Sequence, residues 1–199
     1  MGCEDGSDWR LGSCRPAHRR PRNASGPALV LRWCDPHGLF GNTKAVGKRL
    51  DGIFGAIGVE LSWKKCTPGS ESGRPEIRVV LVHSEASGWD LDAEAMGANL
   101  SRSGPQSQVY IFYNSVVRAL GHSPKTLSDR WLSARETREL SRGLARVTAH
   151  EVMHAVLPEL PHAEDGLTHS ELDRDALLDG EARIDEAVAK AFQAALVKE

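Results

Sequence analysis

The first half of the chain alternates between short apolar runs and one segment with helical spacing. Five segments have the apolar or alternating pattern of strands: 28–33, 59–63, 76–83, 108–113 and, more weakly, 95–100. Between the first two, residues 42–57 carry apolar side chains at helical spacing, and Gly58 follows as a helix stop. The pattern predicts a strand, a helix and then four further strands.

The second half of the chain has the period of helices. Ser133 and Glu136 have the spacing of a capping box, and apolar residues recur at helical spacing from Leu140 onward. Pro158 disfavours helical geometry at the residue before it, so we expect this long helix to end at 157. Three further segments are predicted after it: a polar loop at 158–170, a short helix at 171–178 and an amphipathic helix at 184–197.

Composition places the chain among ordinary globular proteins. It has 199 residues, 40% of them hydrophobic and 26% charged, and a formal net charge of -2. This length fits one domain with a buried core. The small net charge gives no attraction toward nucleic acid or anionic membranes, and no apolar run reaches the roughly 20 residues that span a bilayer. We expect a monomer that binds neither nucleic acid nor membrane.

Residues 1–27 differ from the rest of the chain. Five arginines lie among Gly, Ser and Pro with almost no apolar residues, so we expect a disordered arm before a single domain at 28–199. Two alternatives stay open: a basic tail that binds nucleic acid or another surface, and an extension from a misassigned start. The arm has no h-region of a signal peptide. We expect a cytoplasmic protein if the start is correct, and a secreted or periplasmic one if it is not.

The cysteines do not have the spacing of a structural metal site. Cys3, Cys14, Cys34 and Cys66 form no CxxC pair, so a zinc knuckle is not expected. Cys34 and Cys66 each follow a predicted strand. If those strands are parallel neighbours, both thiols lie at the same end of the sheet and can form a disulfide. Two free cysteines fit the sequence equally well, and the redox compartment stays open.

Residues 150–154 read His-Glu-Val-Met-His and carry the clearest chemical signal in the chain. His150 and His154 are four apart, so on the long predicted helix they lie on one face, one turn apart. Two imidazoles at that separation can hold one zinc ion, and Glu151 between them can reach a water on the metal. Stacked, core-facing imidazoles without a partner would be costly. The run predicts zinc-activated hydrolysis, most often of a peptide bond.

A third ligand is expected after the helix, because a catalytic zinc usually takes three protein ligands and leaves one position for water. His162 lies eight residues after His154, beyond Pro158, where the chain can turn back toward the metal. We therefore expect His162 to be the third ligand. The weaker alternatives are one histidine and three carboxylates: His169, Asp165, Asp175 and Glu181.

These residues resemble the motif of the metzincin-like zinc metallopeptidases, HExxHxxGxxH followed by a methionine-containing turn. The spacing to His162 is longer by two, and is more similar to small bacterial proteins with HExxH, seven residues, His and a Gly-Ile-Met or Gly-Leu-Met turn. Here the turn reads Gly166-Leu167-Thr168. The resemblance covers about 28–199 and implies an α+β, zincin-like fold. That fold is a twisted mixed sheet of about five strands packed on a long active-site helix, with a C-terminal helical subdomain.

The resemblance also implies a cofactor, a substrate and a mechanism. Zn2+ held by His150, His154 and His162 would lower the pKa of a bound water, whose proton Glu151 would accept and pass to the leaving amine. A peptide or protein substrate would pair with an edge strand, for which residues 95–100 are the candidate.

The roles of Tyr110, Tyr113 and Thr168 each have an alternative interpretation. Tyr110 and Tyr113 are interpreted as sheet residues, with stabilisation of a tetrahedral intermediate as the alternative. Thr168 stands where metzincins have a methionine that supports the metal site. The alternative function is therefore a non-catalytic zinc-binding or interaction protein on a degenerate peptidase scaffold.

Overall fold

The chain forms a five-stranded sheet with five helices in the part that the structure describes. This computed structural model describes residues 26–66, 76–83, 95–100, 106–124, 132–178 and 182–198. The strands are β1 (Ala28–Cys34), β2 (Glu60–Lys65), β3 (Glu76–Val82), β4 (Gly97–Leu100) and β5 (Gln106–Phe112). The helices are α1 (Thr43–Ala56), α2 (Tyr113–Ala119), α3 (Ala134–Val156), α4 (Arg174–Leu178) and α5 (Glu186–Lys198). The predicted order of strands and first helix is confirmed.

The sheet is mixed, with strand order β2-β1-β3-β5-β4. Every pairing is parallel except that of β4 with β5, which is antiparallel. β4 lies at the edge of the sheet, as predicted for residues 95–100. The inner strands bury apolar side chains such as Leu31, Val79 and Ile111, which fits their nearly continuous apolar sequences. α1 and α3 pack on each other, and α3 also contacts β3, β4 and β5.

Cys34 is the last residue of β1, and Cys66 follows β2. The sequence alone did not decide whether these two cysteines pair. β1 and β2 are parallel neighbours, so Cys34 and Cys66 lie at the same end of the sheet. Their Cα atoms are 4.9 Å apart and their sulfur atoms are bonded to each other. The two thiols thus form a disulfide that closes a segment containing α1 and β2.

The long helix α3 begins and ends where the sequence predicts. Ser133 Oγ accepts a hydrogen bond from the Glu136 amide at 3.2 Å, and Glu136 Oε2 accepts one from the Ser133 amide at 2.9 Å. This reciprocal capping box fixes the N-terminus of the helix. The helix stops at Val156 with Leu157 as its C-cap, immediately before Pro158. Gly58, with φ +73°, likewise follows the end of α1 as predicted.

One sequence assignment is wrong. Tyr113 was expected to be a sheet residue, but β5 ends at Phe112 and Tyr113 is the first residue of α2, a helix that the pattern did not predict. Its buried side chains Tyr113, Val116 and Val117 have helical spacing. The apolar strand β5 continues directly into the apolar helix α2 without a polar linker. The change from the two-residue period of a strand to the 3.6-residue period of a helix therefore cannot be located from the sequence.

Several predictions fall outside the described residues. These are the predicted disorder of the N-terminal arm before residue 26 and the alternative ligand Glu181. In the described part of the chain, each helix is too short or too polar to cross a bilayer.

Candidate metal centre

Three histidines converge next to the C-terminal part of α3. His150 and His154 lie one turn apart on the helix, and His162 approaches them from the loop that follows. One ring nitrogen from each of the three lies within 4.8 Å of the others. The ring centroids are 4.7 Å apart for His150 and His154, 5.5 Å for His150 and His162, and 4.8 Å for His154 and His162. The three predicted ligands therefore form one cluster. Among the described residues, this is the cluster that could hold a metal.

Hydrogen bonding sets the orientation of the helical histidines. His150 Nδ1 donates to the carbonyl oxygen of Leu167 at 2.8 Å, which leaves Nε2 as the free, acceptor nitrogen. His154 Nε2 is buried and has no hydrogen-bond partner in the described part of the chain. A buried polar atom without a partner is costly unless a further group satisfies it. Three imidazole nitrogens, one of them orphaned, fit a bound zinc ion.

Burial keeps the helical imidazoles in the neutral form that binds metals. It lowers the pKa of His150 to about 4, with smaller lowering from His154, His162 and His169, and the hydrogen bond to Leu167 acts in the opposite direction. The pKa of His154 is also lowered, first by burial and then by His162. A metal therefore meets little competition from protons at these two ligands.

The loop ligand His162 is placed by backbone contacts. The amide of Ala163 donates to the carbonyl of Thr168 at 3.1 Å, and the amide of Leu167 donates to the carbonyl of Arg183 at 2.9 Å. Gly166 between them has φ +79°, and a Cβ there would lie 2.8 Å from Arg183 O. A glycine is therefore needed at this turn. The metal loop, residues 158–170, is tied both to itself and to the segment before α5.

Glu151 lies beneath the edge strand, beside the histidines. Burial raises its pKa to about 7, which suits a group that accepts and then releases a proton near neutral pH. Gly97 of β4 approaches it so closely that a Cβ would lie 2.6 Å from Glu151 Cγ and 2.8 Å from Oε1. Sequence reasoning missed Gly97, although a glycine inside a strand is a known sign of close approach.

The weaker ligand candidates among the described residues are not members of the three-histidine cluster. His169 Nδ1 accepts a hydrogen bond from the Glu171 amide at 3.1 Å, and Asp165 and Asp175 are exposed. The hydroxyl of Tyr110 donates to Gln108 Oε1 at 2.8 Å. Tyr113 is buried, and its pKa is raised by burial and by the charge of Asp35.

A cleft of about 740 Å³ opens beside the cluster. It contains His150, Glu151 and His162 at one end. Met96 and Gly97 of the edge-strand segment form one wall, and Leu172 belongs to the segment that forms another. The cleft therefore brings the edge-strand segment, Glu151, His150 and His162 to one space.

The fold is similar to that of archaemetzincin from Methanopyrus kandleri, known from its crystal structure. The TM-score is 0.54 and the sequence identity is 13%, and the match covers 88% of this chain and 99% of that chain. No known family model matches the sequence, and no curated protein matches it. The predicted α+β, zincin-like fold is thereby confirmed, and the chemistry has to be argued from the site's own residues.

Proposed function

We propose that the protein is a zinc-dependent metallopeptidase. The observation that carries the proposal is the convergence of His150, His154 and His162 beside a half-buried Glu151 under the edge strand of a zincin-like sheet. The orphaned Nε2 of His154 supports a metal at this point. The structural similarity to archaemetzincin supports the same class, since the motif resembles that of the metzincins.

The three histidines would hold the ion through imidazole nitrogens. Zinc supplies, when bound, a lowered pKa for a coordinated water and a polarised substrate carbonyl. Glu151 would accept the proton of the attacking water and deliver it to the leaving amine. Its pKa, raised to about 7 by burial, makes both transfers accessible near neutral pH. Leu167 would keep His150 in one tautomer by accepting its Nδ1 proton.

The substrate class follows from the sheet edge. β4 pairs with β5 on one side and lies last in the strand order, so its other side can accept an extended peptide as an added strand. The register would be set by main-chain hydrogen bonds, and the bond above Glu151 would be cleaved. We therefore propose peptides or unfolded protein segments as substrates.

The test is Glu151→Gln, which keeps the shape of the side chain but removes the proton acceptor. We expect kcat/KM for peptide cleavage to fall by about 100-fold or more, with one zinc per chain retained. Zinc is measured by elemental analysis and cleavage by mass spectrometry of a peptide library. The matched control is Glu164→Gln, at an exposed glutamate of the metal loop, which should leave both quantities unchanged.

The second candidate function, a non-catalytic zinc protein, is favoured by Thr168. This threonine is buried at the position where the resembled proteins have methionine, and its carbonyl holds Ala163. Bound zinc without any cleavage in the library, for the wild-type protein, would identify this function. Cleavage that is unchanged in Glu151→Gln would contradict the proposed role of the glutamate.

A further inference from the structure

A second cavity, of about 1010 Å³, lies between α1, the first half of α3, the metal loop and the segment before α5. His162 lines both this cavity and the cleft, so the metal loop contributes to the wall of each. Four arginines line it and are not used by the proposed mechanism: Arg49, Arg142, Arg146 and Arg183. We call this space the arginine cavity.

The arginines come from different elements and meet at one place. Arg142 and Arg146 are one turn apart on α3, and Arg49 faces them from the neighbouring helix α1. The pKa of Arg49 is lowered, first by burial and then by the charge of Arg142. The two guanidinium groups therefore repel each other across the helix interface.

The partner of Arg142 is a neutral group. Arg142 Nη1 donates to the carbonyl of Leu178 in α4, and Arg146 Nη1 donates to the carbonyl of Ala176 in the same helix. The Leu178 carbonyl fixes the Arg142 guanidinium without cancelling its charge. That guanidinium has five N–H donors, so this bond leaves most of its donor capacity for other groups.

Three of the arginines have no acidic partner in the described part of the chain. Asp165 and Asp185 line the cavity, and neither forms an ion pair with Arg49, Arg142 or Arg183. Asp185 is exposed and accepts a hydrogen bond from the Ala187 amide at the start of α5. In the described part of the chain Arg49 forms no ion pair with an acid. Like charges close together repel each other, and an anion bound between them would relieve that repulsion.

The other walls of the cavity are apolar. Ile53 and Ile57 of α1, Leu160 of the metal loop, and Ile184 and Val188 near α5 line it. The volume greatly exceeds that of a single inorganic anion. A ligand with an oxyanion at one end and an apolar body at the other matches both halves of the lining, because guanidinium groups bind carboxylate and phosphate oxygens through paired hydrogen bonds.

We propose that the arginine cavity is a binding site for a small organic anion, with its phosphate or carboxylate held by Arg49 and Arg142 and its apolar body against Ile53 and Ile184. The site is distinct from the peptide cleft. It does not depend on the proposed peptidase function. Since the metal loop forms one wall, an occupant would contact the element that carries His162.

The test measures thermal unfolding of the full chain with phenyl phosphate, benzoate or inorganic phosphate at constant ionic strength. We expect phenyl phosphate or benzoate to raise Tm saturably, by roughly 5–10 °C at a hundredfold excess over Kd. The stronger of the two identifies the oxyanion. Inorganic phosphate should bind more weakly than phenyl phosphate, because it lacks the apolar body. The rise should persist after a chelator removes metal, which separates this site from the histidine cluster.

The decisive variant is Arg49→Gln, which should have two opposite effects. Without ligand it should raise Tm by about 1–2 °C, because the repulsion with Arg142 is relieved. With ligand it should weaken binding at least tenfold. Lys48→Gln removes the same charge from an exposed position of α1 and should leave the ligand-dependent rise intact. No rise with any probe, a ligand-free Tm that falls in Arg49→Gln, or binding unaffected by Arg49→Gln would each overturn the proposal.

Discussion

The metal centre has two halves that are built in different ways. The helical half, His150, Glu151 and His154, lies on α3, a 23-residue helix with a complete capping box and a buried apolar face. The loop half, His162, lies on a segment held by individual backbone hydrogen bonds and by contacts with residues far along the chain. A helix fixes its side chains by its own periodicity, whereas the loop ligand depends on contacts made elsewhere.

A hydrogen bond joins the two halves. His150 donates to Leu167 O, so a helical ligand also holds the metal loop. Arg183 O accepts from the Leu167 amide and sits against Gly166. The geometry of the helical half is thus encoded locally, whereas that of the loop half is imposed by tertiary contacts. The following changes test that difference.

The largest effect is expected from removing a ligand. His150→Ala should reduce zinc affinity more than His162→Ala, because it removes both a ligand and the hydrogen bond to Leu167 O. Each loss should exceed the roughly 10- to 100-fold that is typical of removing an outer-shell partner. Competition with a chromophoric zinc chelator measures both. Equal losses would mean that the hydrogen bond does not join the two halves.

The pH dependence of metal-free stability should reveal two opposing groups in the helical half. The pKa of His150, lowered to about 4 from 6.5, means that the unfolded chain takes up the proton first, so acid destabilises the fold. The pKa of Glu151, raised to about 7 from 4.5, means that the folded protein takes it up first, so acid stabilises the fold. The two effects oppose each other between pH 4.5 and 6.5.

Removing either ionisable group should reveal the pH dependence that the other contributes to the free energy of unfolding. In Glu151→Gln, the free energy of unfolding should fall as pH drops from 6.5 to 4, by up to roughly 3 kcal/mol. In His150→Gln, it should rise as pH drops from 7 to 4.5. Urea unfolding at a series of pH values after metal removal measures this. Parallel profiles for the two variants would contradict the burial of these side chains.

A smaller effect is expected from disturbing the metal loop without changing a ligand. Gly166→Ala places a Cβ 2.8 Å from Arg183 O at φ +79° and should cost about 1–3 kcal/mol of stability. Zinc affinity should fall as well, because His162 moves. Gly38→Ala is the matched control, since Gly38 has φ +64° but open space around it. It should lose stability and retain zinc affinity, and equal zinc loss in both variants would contradict the role of the loop.

The smallest effect is expected at the far end of α3. Ser133→Ala removes the oxygen that accepts from the Glu136 amide and should cost about 1 kcal/mol in the free energy of unfolding. Zinc affinity should not change, because the rest of the helix preserves the spacing of His150 and His154. Chemical denaturation and zinc titration test the two statements separately. A loss of zinc affinity here would show that the helical half is less self-contained than proposed.

Sequence reasoning succeeded where a local pattern has one physical interpretation. The capping box at Ser133, the stop at Pro158 and the four-residue spacing of the histidines each act within a few residues, and all appear as predicted. It failed at Tyr113, where an apolar strand passes directly into an apolar helix and both periods fit the same residues. It missed Gly97, because nothing in the sequence near β4 shows that Glu151 will lie under it.

The sequence by itself determined the helical half of the site, since side chains four apart on a capped helix must share a face. It also indicated His162 by elimination of a continued helix beyond Pro158. Only the tertiary structure decided that His162 reaches the other two, that Gly97 covers Glu151, and that arginines from α1 and α3 converge on one cavity. Those outcomes depend on contacts between residues distant in the chain, and local periodicity carries no information about such contacts.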